Sequence, residues 1–350
     1  MLNWQVTDSQ QFSRFAAAWD ELVATHRFPP IMESRFIEAA LTDLGSGKHR
    51  LALAFDSAKL VAGGIFMQVG AGRWSSFQPS QLPLGAWVMK PDLDWEATIQ
   101  SLCRALPGPA VMVSITQQDP LMHPRPAASR RMSTLDYINT AWVEIAGSFD
   151  DFWEARGKNL KQNLRKQRRR IENEGQALSV EFASAPERVA AVLAEFSELE
   201  SRGWKSEVGT AVMLGSDQGR FYGHALTNFA SCGRALCIAL RLDGAAIAAD
   251  LCVRASNSLV ILKTAYDEER KALSPGQLLH EEAFRHFFDS PGLTRVEFYG
   301  RVMEWHTRWS ELSRALYHVN FYRWGILQSL HERLRARRHS SGQPASAGGT

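Results

Sequence analysis

The feature that most restricts what this chain can fold into is a strand–turn–strand pattern that occurs twice. The first copy runs from His49 to Asp56 and on from Lys59 to Met67, the second from Arg234 to Asp243 and on from Gly244 to Val253. In the second copy Leu236, Ile238, Leu240 and Leu242 fall on alternate positions, as a strand with one buried face requires. Each hairpin is followed by a third apolar run, Trp74 to Phe77 and Leu259 to Thr264. A helical stretch comes next, Trp95 to Leu106 and Gly276 to Phe288, and then a last apolar strand, Ala110 to Ile115 and Thr294 to Tyr299. Two helical stretches precede each hairpin: Gln11 to Val23 with Ser34 to Leu44, and Pro186 to Ser201 with Arg220 to Ser231. A unit of this length is too long for a solenoid repeat and reads as a duplicated domain. Its crossover helix places one parallel strand pair in an otherwise antiparallel sheet, so the fold class is α/β in two tandem halves, each a mixed sheet flanked by helices.

Between the copies, residues 150–175 carry Arg156, Lys158, Lys161, Arg165, Lys166, Arg168, Arg169 and Arg170, with Trp153, Leu160, Leu164 and Ile171 roughly on one helical face. This predicts one basic amphipathic helix docked on the second half, its arginines solvated. Residues 311–338 are read as a further helix, and 339–350, rich in Ser, Gly, Ala and Pro, as a disordered tail. A hydrophobic fraction of 45% and a charged fraction of 22% are ordinary for a globular protein, and a net charge of +3 gives no ground to expect a nucleic-acid partner. No secretory signal and no apolar run of about 20 residues is present, and the four cysteines form no CxxC. A cytoplasmic protein with free thiols and no structural metal is the expectation.

The stretch richest in chemistry is Leu262 to His280. A strand leads through a charged turn into Ser274-Pro275-Gly276 and a helix, with Ser274 at the N-cap and Pro275 at the first helical position. Free N–H groups at Ser274, Gly276, Gln277 and Leu278, with Lys271 nearby, would suit a phosphate; an ordinary capped helix is the plain alternative. Asp250 lies among Ala248, Ala249 and Leu251, where a carboxylate must be paired or functional. Lys263 on the next strand is its expected partner.

Lys271-Ala-Leu-Ser274-Pro-Gly276 resembles the pyrophosphate loop of GNAT acyltransferases, with Lys for the family's Arg or Gln and Ser for its first Gly. More broadly, Glu200-Ser-Arg-Gly-Trp-Lys205 with Gly209-Thr210, Lys263-Thr-Ala-Tyr-Asp267, Ser274-Pro-Gly-Gln-Leu-Leu279, Phe298-Tyr-Gly300, and Trp305 with Trp309 resemble the acetyltransferases of bacterial cellulose and exopolysaccharide biosynthesis. The likeness spans residues 142–323, and Fem-type transferases share the tandem plan. It implies a degenerate GNAT-like half at 1–120, a connection at 121–149, and an acyltransferase half at 150–338.

The resemblance further implies direct transfer of an acetyl or longer acyl group from acyl-CoA, a co-substrate and not a resident cofactor, to an amine or saccharide acceptor. Candidate bases are Asp250, Glu304 and His306, and Tyr266 and Tyr299 are candidate donors to the leaving thiolate. Lys271, Ser274, Gly276, Gln277 and Leu278 are expected at the CoA pyrophosphate. Arg202, Trp204, Lys205, Lys263, Tyr299 and Trp305 are expected at the acceptor. In the first half, residues 78–85 have no basic residue before Gly85 and are expected to close over the acceptor. The rival readings are an aminoacyl-tRNA-dependent transferase of the Fem type and a non-catalytic binding module.

Overall fold

The computed structural model describes residues 2–202, 212–255 and 257–328. The first half contains β1 (Asn3–Asp8), α1 (Ala16–Thr25), α2 (Ser34–Leu44), β2 (Arg50–Asp56), β3 (Lys59–Gly70), β4 (Arg73–Ser76), β5 (Trp87–Met89), α3 (Trp95–Ala105), β6 (Met112–Gln118) and β7 (Met132–Glu144). Two helices follow, α4 (Phe149–Glu154) and α5 (Lys158–Asn173). The second half contains β8 (Leu178–Ala183), α6 (Pro186–Arg202), α7 (Asp217–Ala230), β9 (Ala235–Leu242), β10 (Ala245–Arg254), β11 (Ser258–Tyr266), α8 (Pro275–Phe288), β12 (Arg295–Glu297), α9 (Glu304–Thr307) and β13 (Ser313–Tyr322).

All strands join one sheet in the order β1-β2-β3-β4-β6-β13-β7-β12-β11-β10-β9-β8, with β5 beside β3. From either edge inward the order is the same. Each half has one parallel pair, β4 with β6 and β11 with β12, and the crossover helices α3 and α8 make those pairs possible. At the centre the halves exchange their last strands. β7 lies beside β12 of the second half, and β13 lies beside β6 of the first. The two then pair with each other from Ser313↔Ala141 to Phe321↔Met132.

On one face of the sheet α1, α2, α6 and α7 share a core that crosses between the halves, with Phe36 edge-on to Phe221 at 5.2 Å. The opposite face carries two separate cores, one under α3 and one under α4, α5 and α8. Burying an aromatic such as Phe36 contributes about 2–3 kcal/mol, so the shared core ties the halves firmly. Among the described residues no helix is long and apolar enough to cross a membrane.

Two expectations need correction. Residues 313–322 are strand β13 and not helix: Tyr317, Val319 and Phe321 are buried in the first-half core, and only the sheet, with β6 and β7 on either side, can use that alternation. Residues 325–328 are helical, as expected, while the last part of the expected helix, 329–338, and the tail 339–350 lie outside the described residues.

The basic segment is two helices and not one, broken at Arg156-Gly157. Leu160, Leu164 and Ile171 of α5 pack into the second-half core as expected. Arg168, however, is half-buried and donates to Glu281 (2.7 Å) and Glu282 (2.5 Å) of α8. Arg168→Gln is therefore expected to cost about 1–2 kcal/mol in urea denaturation, while Arg169→Gln, on the exposed side, stays within about 0.5 kcal/mol. Equal, negligible effects would mean that the ion pairs do not hold α5 to α8.

Candidate active site

β11 and β12 run side by side only from Ser258–Val260 against Arg295–Glu297. β12 then stops, Tyr299 turns into left-handed backbone (φ 50°), and β11 continues to Tyr266 with only β10 beside it. Parting of parallel strands at their carboxyl ends opens the place where α/β sheets accept ligands. β11 leads into the turn before α8, where Ser274 is also left-handed (φ 55°).

The N–H groups there are less free than the sequence promised. The Ser274 N–H is taken by the Lys271 carbonyl at 3.0 Å, and the Gln277 and Leu278 N–H groups by the Ser274 carbonyl at 3.0 and 3.1 Å. Pro275 has none. Gly276 keeps the one N–H without a hydrogen bond among the described residues. A Cβ placed on Gly276 would touch only Tyr266 Cδ1, at 3.8 Å. The Ser274 hydroxyl is held by Asn163 Nδ2 at 3.0 Å, and Asn163 in turn by Gln167 at 3.1 Å, so α5 braces the turn. Leu278 is wholly buried and Gln277 Oε1 accepts from Trp309 Nε1 at 2.8 Å; both side chains therefore serve packing. Lys271 is exposed beside them.

Asp250 sits opposite Thr264, whose hydroxyl donates to Oδ1 at 2.5 Å. Its Oδ2 lies 3.4 Å from Nε2 of His280, on α8. Both residues are fully enclosed, at 0% and 2% exposure, and neither that oxygen nor either ring nitrogen has a hydrogen bond. A buried carboxylate beside an unsatisfied imidazole is costly unless it is used or hydrated. Trp305 leans on the His280 ring at 5.2 Å, and His306 stacks on Trp305 at 3.6 Å. Burial, with the His280 imidazole close by, lowers the His306 pKa to about 4, and its Nδ1 accepts from the Met303 N–H, so it is a neutral packing group.

Lys263 does not pair with Asp250. It stands opposite Leu251, on the other face of the sheet, with its ammonium 5.8 Å from the Tyr222 ring centre, because adjacent residues of a strand point to opposite sides. His280 was missed by the sequence reading. The available signal was its place one turn after Gly276, which puts both on one side of α8.

Of the remaining candidates, Tyr266 is half-exposed beside Gly276. Tyr299 is buried and donates to Asp119 at 2.9 Å. Arg314 of β13 holds the same Asp119 through 2.8 and 2.6 Å bonds and Glu297 through one of 2.9 Å, so Tyr299 belongs to a buried tie between the halves. Glu304 is exposed and paired with Arg308, and Arg202 is exposed near Glu198. Trp305 is half-buried, and Trp309 fully buried. Trp204, Lys205, Gly209 and Thr210 lie outside the described residues. Residues 78–85 pack into the first half: Leu82 and Leu84 are buried, and the Gly85 N–H donates to the Gln117 carbonyl at 3.3 Å, just past the end of β4.

Residues 158–307 match the family model described as Acetyltransferase (GNAT) domain. That match identifies this stretch, and not the chain as a whole, as a GNAT acetyltransferase domain. The matched span starts with α5 and contains β11, the Ser274 turn, α8 and the Asp250–His280 pair. By this domain the protein is an acyltransferase, and GNAT domains generally use acyl-CoA as co-substrate. No curated protein matches the chain.

Among solved structures it is similar to the C-terminal domain (DUF2156) of an Agrobacterium fabrum protein described as a lysylphosphatidylglycerol synthetase, at 13% identity over 93% of this chain and 96% of that one, TM-score 0.55. It is also similar to FemX, at 10% identity over 90% and 98%, TM-score 0.54. A third is a Bacteroides thetaiotaomicron VPI-5482 protein of unknown function, at 11% over 92% and 100%, TM-score 0.52. At such identity these likenesses establish the tandem fold alone.

Proposed function

We propose that the GNAT domain transfers an acetyl or longer acyl group from acyl-CoA to an amine or saccharide-type acceptor, at the gap where β11 leaves β12. The observation that carries this reading is the enclosed Asp250–His280 pair next to that gap, one turn beyond the open N–H of Gly276. The acceptor nitrogen or oxygen attacks the thioester carbonyl and the carbon–sulfur bond breaks. The acceptor's proton passes to the Asp250–His280 pair, and the departing thiolate takes one from the Tyr266 hydroxyl. Gly276 and Lys271 face the CoA phosphates, Ser274, Gln277 and Leu278 shape the turn, and the sequence resemblance assigns Arg202, Trp204 and Lys205 to the acceptor. An acceptor from exopolysaccharide or envelope synthesis inside the cell fits the resemblance of residues 142–323. We place the join between the halves within the expected connection of 121–149, after β7 (Met132–Glu144).

One observation favours a Fem-type donor instead: a single open N–H is thin provision for a pyrophosphate, whereas α5 exposes Arg165, Lys166 and Arg169 close to the turn it braces. Calorimetry separates the two. Acetyl-CoA should bind, and Gly276→Val should weaken it at least tenfold with an unchanged melting temperature, since that side has room for the new side chain. Gly223→Ala, in equally open space on α7, should change nothing. Binding of aminoacyl-tRNA with a steep salt dependence, and no acyl-CoA binding, would replace the main reading with the second.

A further inference from the structure

A cleft of about 570 Å³ lies between the halves, lined by Asp20, Arg27, Glu33 and Arg35 from the first and Arg234 and Arg254 from the second. It sits at the start of β11, a nine-residue strand, so roughly 25 Å of extended chain separates it from the candidate active site. Its acidic groups are already engaged. Asp20 accepts from the N–H and hydroxyl of Ser34, both at 2.7 Å. Glu33 is clasped by Arg234 and lies 3.3 Å from Arg35. Arg35 and Arg234 also rest against the Phe229 ring at 5.4 and 5.5 Å, which fixes both guanidinium groups.

Two positive charges remain over. Arg254 uses one nitrogen to hold the Pro291 carbonyl at 2.8 Å and has no carboxylate within ion-pair reach among the described residues. Arg27 has no side-chain hydrogen bond and no ion pair among them. Its backbone is unusual as well. Arg27 ends α1 in the left-handed region (φ 54°), its N–H bonding the Ala24 carbonyl and the next N–H the Val23 carbonyl. Glycine is the residue that such a helix end prefers, so an arginine there costs stability without gaining a contact in the protein. Residues that spend stability in this way are found where function asks for them.

We propose that this cleft binds a doubly charged phosphate group, gripped from opposite halves by Arg27 and Arg254. Planar guanidinium groups with unused donors match the oxygens of a phosphate. Arg35 and Arg234 supply the surrounding field, and Val23 and Phe28 give an apolar wall for whatever carries the phosphate.

The test is calorimetric titration of the full chain at low salt with inorganic phosphate and with glucose 6-phosphate. Both should bind, and a preference for the sugar phosphate would assign a monoester over the free ion. Arg27→Gly should hold or raise the melting temperature while weakening binding at least tenfold, and Arg254→Gln should weaken it by a similar factor. Gly276→Val, at the other end of β11, should leave binding intact, so failure of the acyl-CoA reading and failure of this one are separable. Absence of binding by either probe, or binding unchanged in Arg27→Gly, overturns the proposal. If Arg254→Gln fails to fold, Arg27→Gly alone decides, because that exposed side chain holds nothing in place.

Discussion

Arg314→Met is expected to lower stability by about 3–5 kcal/mol, read from urea unfolding at pH 7.5. The side chain lies on β13, the strand that the second half gives to the first, and is 7% exposed. Removing its charge while keeping its bulk strands Asp119, 1% exposed, in the interior without its guanidinium partner and leaves Glu297, 3% exposed, with only Arg295 at 3.7 Å. Because Asp119 follows β6 and Glu297 ends β12, the loss should appear as one shifted transition and not as the melting of one half.

The pH dependence follows from Glu297. Burial, with the charge of Asp119 adding to it and Arg314 and Arg295 opposing, raises its pKa to about 7. A raised folded-state pKa means a contribution fully present below about 4.5 and lost as pH climbs through about 7. Glu297→Gln, which imitates the protonated group, should therefore gain stability relative to the native protein as pH rises through that window. The damage from Arg314→Met should shrink in acid, where Glu297 is protonated. A loss below about 1 kcal/mol for Arg314→Met, or one independent of pH, would show that water reaches this cluster.

Asp250→Asn is expected to lower the acyl-transfer rate by roughly 10²–10⁴-fold with the fold retained, since general-base catalysis contributes in that range. Asparagine keeps the size of the side chain and can still accept from Thr264, but it cannot take a proton. His280→Gln should fall by a comparable factor, and the double variant by little more than either alone, because the pair acts as one unit. Thiol release from acetyl-CoA with a panel of amine and sugar acceptors provides the rate. A rate within threefold of native together with a large fall in melting temperature would make the pair structural, leaving the exposed Glu304 as the base still to be tested.

Much of this was legible in the residues. The duplicated hairpins, their flanking helices, the crossover helices and the Ser274 turn follow from periodicity and punctuation that act over ten to twenty residues, and there the structure agrees closely. The apolar stripe of α5 was legible for the same reason. What failed depended on partners far away in sequence. β13 was taken for helix because its charged flanks look helical in isolation; what makes 313–322 a strand is pairing with β6 and β7, nearly two hundred residues earlier. Lys263 was given to Asp250 because strand neighbours look adjacent on paper, while the one-residue alternation sends them to opposite faces. Nothing in the sequence around Gly85 marks how tightly it packs, yet a Cβ there would lie 2.4 Å from the Thr116 carbonyl, a contact that only the packing of that segment onto β6 creates.

The candidate site divides along the same line. Local chemistry marked Asp250 and Gly276, because a carboxylate in an apolar strand and a glycine after Ser-Pro are unusual wherever they occur. That Asp250 meets His280, that α5 braces Ser274 through Asn163, and that Arg27 and Arg254 share a cleft are contacts between separate elements. They arise from how the sheet twists and where its helices land. A single sequence carries no record of such distances, because they are set by the summed packing of the whole core and by no local preference.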